Sequence, residues 1–221
     1  MVVSQLRAHN IAVSLDGFAT GEGQSLATPF GHAGMRLMEW FIPTATFQSL
    51  SGERERQSVD PATAADDEFA RDAFVGFGAE IMGSRKFGPP GWHDDPDWRG
   101  WWGEEPPFHS PVFVLTHHPR PAIAMEGGTT FHFLDASPAE ALQIARAAAG
   151  ELDVRLGGGP TTIREFLAAG LVDRLHVVQV PIILGRGTRL WDGLEGLEAG
   201  YRIESVTTPS GVTHLTFTRR E

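Results

Sequence analysis

The run Leu156-Gly157-Gly158-Gly159-Pro160-Thr161-Thr162-Ile163 has the composition of an anion cradle. A short apolar segment with strand character, Asp153 to Leu156, precedes it, and a segment with helical spacing, Thr161 to Ala169, follows it. Three glycines between a strand and a helix leave the backbone without a side-chain wall. A ligand can then approach the main chain, and the first N–H groups of the helix point at it. Phosphate is the group that such an arrangement suits, which makes a nucleotide or dinucleotide the first candidate ligand. The run is not a P-loop, because no Gly-Lys-Ser/Thr follows, and Pro160 and two threonines replace the spaced glycines of a Rossmann turn. Tight packing of a strand against a helix is the competing explanation.

Two further segments carry groups that bind anions. Gly83-Ser84-Arg85-Lys86 follows the strand-like Ala79 to Met82, and Lys86 is the only lysine in the chain. Thr116-His117-His118-Pro119-Arg120 follows a second strand-like segment, Pro111 to Thr116. In open α/β sheets ligands sit outside the carboxyl ends of strands. Arginine grips a phosphate with two parallel N–H bonds, and lysine acts as a point charge. Taken singly, each segment also reads as a solvated surface turn. The three together describe a site for a molecule with several phosphates.

The elements that must place these groups are legible in outline. His9 to Leu15 reads as a buried strand closed by the Asp16-Gly17 turn, and Met35 to Phe41 as a short helix. Ser49 to Asp60 is polar and without period, hence loop. Pro61 to Phe77 reads as a helix with Phe69, Ala70, Ala73, Phe74 and Phe77 on one face. Gly88 to Pro107 is a loop rich in Gly, Pro and Trp. Ala122 to Glu126 and Thr130 to Leu134 pair about Gly127-Gly128. Ser137 to Ala149 is a helix whose cap is Ser137 and whose capping-box partner is Glu140. Leu175 to Leu184 is a long apolar strand interrupted by Pro181. Tyr201 to Thr208 and Val212 to Thr218 form a terminal hairpin. Strands alternating with helices, then a hairpin, give one α/β domain over residues 1–221.

Composition narrows the function classes. A net charge of −10 disfavours nucleic acid and anionic membrane as partners. No apolar run approaches the length of a membrane span, and Met1 to Asn10 lacks the pattern of a signal peptide, so a cytoplasmic location is expected. With no cysteine there is no disulfide, thiol nucleophile or cysteine zinc site. His32, His93 and His109 have no metal-ligand spacing, and no metal is expected.

Several motifs also stand in a familiar order: Val13-Ser14-Leu15-Asp16-Gly17, Ile81 to Phe87, Val112 to Thr116, Leu156 to Pro160, Gly170 to Leu175, and Val180-Pro181-Ile182-Ile183-Leu184-Gly185. Over nearly the whole chain this resembles the dihydrofolate reductase-like family, which includes the reductase half of the bacterial riboflavin-biosynthesis deaminase–reductase. The resemblance implies a central, mostly parallel eight-stranded mixed sheet with helices on both faces and a C-terminal β-hairpin. It implies NADPH as cofactor, with the pyrophosphate near Gly157, Gly158, Gly159, Thr161 and Thr162. Gly83, Ser84, Arg85 and Lys86 would approach the phosphates, and Thr116, His117 and His118 the adenosine 2′-phosphate. It implies a non-proline cis peptide in the glycine run, at Gly157-Gly158, and a homodimer.

The substrate is less defined. Dihydrofolate reductases hold their pterin with a carboxylate on the first long helix. Asp67 stands sixteen residues before Gly83, at the matching distance, though it could equally decorate the helix start. Riboflavin-type reductases often carry Glu before the glycine run and Lys after the Asp-Gly turn, where this chain has Gly157 and Phe18. Trp92 and Phe30 are candidate walls for a flat heterocycle, and the Trp-rich loop reads either as a lid or as an anchor. The expected reaction is hydride transfer from NADPH to a small pterin- or pyrimidine-like heterocycle or a carbonyl compound. Asp16, Asp67 or water would supply the proton. The alternative is a protein that binds NADPH without turnover.

Overall fold

The computed structural model describes residues 4–50 and 63–220. They fall into two compact units, one of Met1–Ala8 with Gly76–Asp173 and the other of His9–Val75 with Arg174–Glu221. The first strand, β1 (Leu6–Ser14), contributes to both. The remaining strands are β2 (Phe18–Thr20), β3 (Phe77–Gly83), β4 (Pro111–Leu115), β5 (Ile123–Ala124), β6 (Thr130–Leu134), β7 (Asp153–Gly158), β8 (Arg174–Val180), β9 (Thr188–Arg189), β10 (Tyr201–Thr207) and β11 (Thr213–Arg219). The helices are α1 (Ala45–Leu50), α2 (Ala64–Asp72), α3 (Ser84–Phe87), α4 (Pro138–Ala149) and α5 (Pro160–Ala168). The main sheet is mixed and mostly parallel, is flanked by helices and has the order β10-β11-β8-β1-β7-β3-β4-β6-β5. It has nine strands rather than eight, because the two-residue β5 adds antiparallel to β6 across the Gly127-Gly128 turn.

In the first unit, β7, β3, β4 and β6 run parallel side by side. A parallel strand covered on both faces carries apolar residues at successive positions, and Ala79 to Gly83 are all buried. The start of α4 is fixed by Ser137, whose side chain accepts from the Glu140 N–H while the Glu140 carboxylate accepts from the Ser137 N–H. Ile163, Phe166 and Leu167 of α5 recur at three- and four-residue spacing and are buried. Pro160 stands at the first helical position, where a missing N–H does no harm.

In the second unit, β8 ends at Val180 because Pro181 has no N–H to give the ladder. The apolar run that predicted a strand to Leu184 is therefore shorter in fact. Helix α2 is also shorter than its predicted span, since the chain turns through Gly76 at φ 84° and Phe77 opens β3 instead. The segment 35–41 forms a 3-10 turn over Gly34–Met38 rather than an α-helix. Of the predicted loop 49–60, Ser49 and Leu50 close α1, and residues 51–60 lie outside the described residues. No helix among the described residues is long and apolar enough to cross a membrane.

Candidate active site

The three segments expected to bind an anion lie at the carboxyl ends of adjacent strands. In the parallel pairing of β3 with β7, Met82 stands beside Gly158, and in that of β3 with β4, Gly83 stands beside Leu115. The residues that follow, Ser84 to Lys86, Thr116 to His118 and Gly159 to Thr162, are therefore grouped within the first unit. The sequence reading expects one shared site, and the strand order β7-β3-β4 is what brings the three segments together. A Cβ at Gly83 would overlap Thr162 Oγ1 in the first turn of α5, so Gly83 is glycine for close approach.

The glycine run itself has three different neighbourhoods. Gly158 has φ 107°, a backbone conformation that favours glycine. Gly159 has an ordinary extended backbone at φ −72°, and nothing lies within 4 Å of the position that its Cβ would take. Gly159 is the residue immediately before the first turn of a nine-residue helix. The cis peptide is Gly158–Gly159, one residue later than expected. Gly157 is crowded instead. Its Cβ would overlap Glu80 Oε1 and Lys86 Nζ.

Glu80 is the group that sequence reasoning passed over. Its side chain is 3% exposed, and it bonds Lys86 Nζ at 2.8 Å and Arg155 Nη1 at 3.2 Å. A buried carboxylate requires such partners. The signal was a lone acidic residue inside the apolar Ala79–Met82 run, six residues before the chain's only lysine. Lys86 was expected to reach phosphates. The structure commits its ammonium to Glu80 instead, and burial lowers the Lys86 pKa while Glu80 opposes that shift. Gly157→Ala should cost about 1–3 kcal/mol by overpacking this triad. Urea unfolding of the variant checks it, and an unchanged midpoint would contradict the packing described.

The other residues of the cluster are placed as follows. Arg85 is exposed. Ser84 Oγ accepts from Trp92 Nε1 at 2.8 Å. Thr116 is buried, and its Oγ1 accepts from the His118 N–H at 3.1 Å. His117 projects outward with Nδ1 2.9 Å from Asp135. The His118 ring stacks on that of His93 with centroids 3.7 Å apart.

Trp92 is a correction. As a wall for substrate it would need an open face, but it is 3% exposed and packs on Phe87 and Phe133, with its N–H used by Ser84. The Arg120 guanidinium lies 5.0 Å from its ring centre and 4.7 Å from that of Phe133, and donates to the carbonyls of Trp98 and Asp95. Trp98 Nε1 donates to the Phe87 carbonyl at 3.2 Å. Trp92 and Trp98 therefore anchor the loop.

Asp16, Phe30 and Asp67 belong to the second unit. Asp16 accepts from Ser14 Oγ at 2.5 Å, Leu184 N at 3.0 Å and Gly185 N at 2.7 Å. The bond from the Leu184 N–H, then that from Ser14, hold its pKa down at about 2. These three bonds tie the Asp16 carboxylate to the turn that follows β1 and to the Leu184-Gly185 backbone, so it clamps this loop. Asp67 accepts from the Thr46 N–H at 2.7 Å, at the start of α1. Phe30 remains 37% exposed, on a loop closed by the Gly21 N–H to Phe30 carbonyl bond of 2.8 Å.

The neighbouring Asp66 is wholly buried and ends a directional chain. Asn10 N–H donates to His176 Nδ1 at 3.2 Å, which leaves His176 Nε2 to donate to His214 Nδ1 at 3.0 Å. His214 Nε2 then donates to Asp66 Oδ1 at 2.8 Å, and Thr208 Oγ1 donates to the same oxygen at 2.6 Å. Asn10 Oδ1 also lies 3.2 Å from His176 Nδ1. Burial lowers both histidine pKa values, that of His176 to about 3.

Residues 8–215 match the family model of the RibD C-terminal domain. Among solved structures, a protein assigned to riboflavin biosynthesis from Shewanella sp. PV-4 is 19% identical, with 99% of each chain covered and a TM-score of 0.56. A diaminohydroxyphosphoribosylaminopyrimidine deaminase/5-amino-6-(5-phosphoribosylamino)uracil reductase from Thermotoga maritima is 12% identical, covering 98% of this chain and 57% of that one, with a TM-score of 0.54. Dihydrofolate reductase from Enterococcus faecalis, complexed with NADP(H), is 16% identical, with 98% and 97% covered and a TM-score of 0.50. These likenesses are of fold. No curated protein matches the sequence.

Proposed function

The chain belongs to the RibD C-terminal domain family, and on that premise we propose that it is an NADPH-dependent reductase of a small pyrimidine- or pterin-like heterocycle. The observation that carries this reading is the bare backbone at Gly159. It immediately precedes α5 and follows β7, whose end pairs with that of β3, the neighbour of β4. The residues fit a dinucleotide. The N–H groups of Thr161 and Thr162 and the glycine run would hold the pyrophosphate, and Arg85, His117 and His118 offer positive or donor groups for the remaining phosphate. The Enterococcus faecalis reductase of like fold carries NADP(H), which agrees with this choice.

When bound, the cofactor supplies a hydride to a C=N or C=O carbon of the substrate. The protein's part is position and electrostatics. Glu80 fixes Lys86 and Arg155 beside Gly157, which places net positive charge next to the cradle. Asp16, Asp67 and solvent are the candidate sources of the proton that completes the reduction.

One observation favours binding without turnover as a second reading. Asp16 and Trp92, which the sequence offered for chemistry and substrate, are both engaged structurally. A single experiment separates the readings. The protein is titrated with NADPH and NADH by calorimetry, then the loss of nicotinamide absorbance is followed with pterins, aminopyrimidines, flavin precursors and quinoid carbonyls. The reductase reading expects NADPH to bind at least about tenfold tighter than NADH and one heterocycle class to be reduced. Binding without oxidation over the whole panel supports the second reading, and no binding of either nucleotide refutes both.

A further inference from the structure

Lys86 is committed to Glu80 but is not used up by it. An ammonium carries three N–H groups, and among the described residues the one hydrogen bond of Lys86 is that to Glu80 Oε1 at 2.8 Å. Glu80 in turn divides its two oxygens, giving Oε1 to Lys86 and Oε2 to Arg155. Neither cation therefore has the carboxylate to itself. The charges that act on Lys86 are those of Glu80, which favours the ammonium, and Arg155, which opposes it.

Exposure decides which member of this group can meet a ligand. The Lys86 side chain is 23% exposed and that of Glu80 only 3%. Both reach into the space beside Gly157, where an added Cβ would overlap the two of them. Gly157 is itself half-buried and immediately precedes Gly158. The half-buried ring of Phe108 has its centre 5.8 Å from Lys86 Nζ. A cation, an aromatic ring and a bare stretch of backbone thus stand together within the first unit. Riboflavin-type reductases often carry glutamate where this chain has Gly157, so the charge presented at that place is reversed in sign.

We propose that Lys86 is a specificity residue of this site, and that the substrate carries a carboxylate which takes the remaining N–H groups of its ammonium. The inference rests on the reductase reading above and adds to it the charge of the substrate. A carboxylate suits the group better than a phosphate monoester does. One ammonium lacks the two-pronged fork with which arginine grips phosphate, and a single negative charge balances it. An amino group at the same place would set donor against donor. Glu80 touches no ligand in this arrangement; it is a positioning residue that acts through Lys86.

The test uses the full chain and two matched pairs of probes. Pterin-6-carboxylate is compared with 6-hydroxymethylpterin, and orotate with 6-hydroxymethyluracil, by calorimetry with and without saturating NADP+. In at least one pair the carboxylate should bind about tenfold tighter or more, the worth of one hydrogen bond to a charged group. Lys86→Gln should erase that margin and leave the affinities for the neutral partner and for NADPH unchanged. Because Lys86 is the only lysine, protein isotope-labelled at lysine Cε gives a single NMR signal. That signal should move with the carboxylate probe and stay in place with its neutral partner. A thermal melt shows whether the variant folds; if it does not, the wild-type affinities and the lysine signal decide alone. Equal affinity within both pairs overturns the proposal, as does a margin that survives in Lys86→Gln or a lysine signal indifferent to the carboxylate. Failure of all four probes to bind overturns it too. Failure of the reductase reading is seen separately, as no binding of NADPH.

Discussion

Gly159→Val should abolish NADPH binding while leaving stability almost untouched. At this position the backbone is in the extended region that any residue adopts, and nothing stands within 4 Å of the added Cβ. The fold therefore has room for the side chain. The branched group would stand at the residue just before α5, where the pyrophosphate is proposed to sit. Losing that seat removes several charge-assisted hydrogen bonds, and a fall in affinity of at least about 100-fold follows, roughly 2.7 kcal/mol. Calorimetric titration with NADPH measures the loss, and a thermal melt beside it shows whether the fold has suffered. Gly158→Val is the weaker test, because φ 107° strains any branched residue there and the two causes would mix. Undiminished affinity in a folded Gly159→Val protein would remove the cradle from this site.

Acid should unfold the protein over a window set by His176. An imidazole that titrates near 6.5 in the unfolded chain is held at about 3 in the folded one, chiefly by burial and then by the nearby His214. The unfolded state thus takes up its proton first as pH falls. The stability contributed is fully present above about 6.5 and is lost progressively down to about 3. At about 1.4 kcal/mol per pH unit the window amounts to roughly 5 kcal/mol, comparable with the whole stability of a modest domain. Burial lowers His214 in the same direction, with its bond to Asp66 opposing. Urea unfolding from pH 7 to pH 4 should show a steep decline in free energy. His176→Gln can keep a donor and an acceptor in the chain but cannot titrate, so its decline should be shallower by about one proton. Equal slopes would show that His176 does not control the transition.

Local patterns carried much of the fold into view. The capping box at Ser137 and Glu140, the helix after the glycine run and the terminal hairpin are properties of contiguous residues, and each stands where its sequence predicts. The glycine run was likewise visible as a place where backbone is laid bare. Errors arose where a periodic or apolar run outlasted its element. The helix predicted to Phe77 gives way at Gly76, and the strand predicted to Leu184 stops before Pro181.

What the amino-acid order determined by itself was the inventory: three turns with anion-binding groups, an apolar strand pattern around them, a single lysine and no cysteine. Tertiary structure alone decided how the inventory is used. The order β7-β3-β4 brought together turns that lie far apart along the chain. Burial turned Trp92 from a wall for substrate into a core anchor, drew Lys86 onto Glu80, and made Asp66 rather than Asp67 the enclosed carboxylate. The physical reason is that a polar or aromatic side chain takes its role from its partners and its exposure. Both are set by strands and helices distant in sequence, whereas a cap or a turn is completed by its neighbours along the chain.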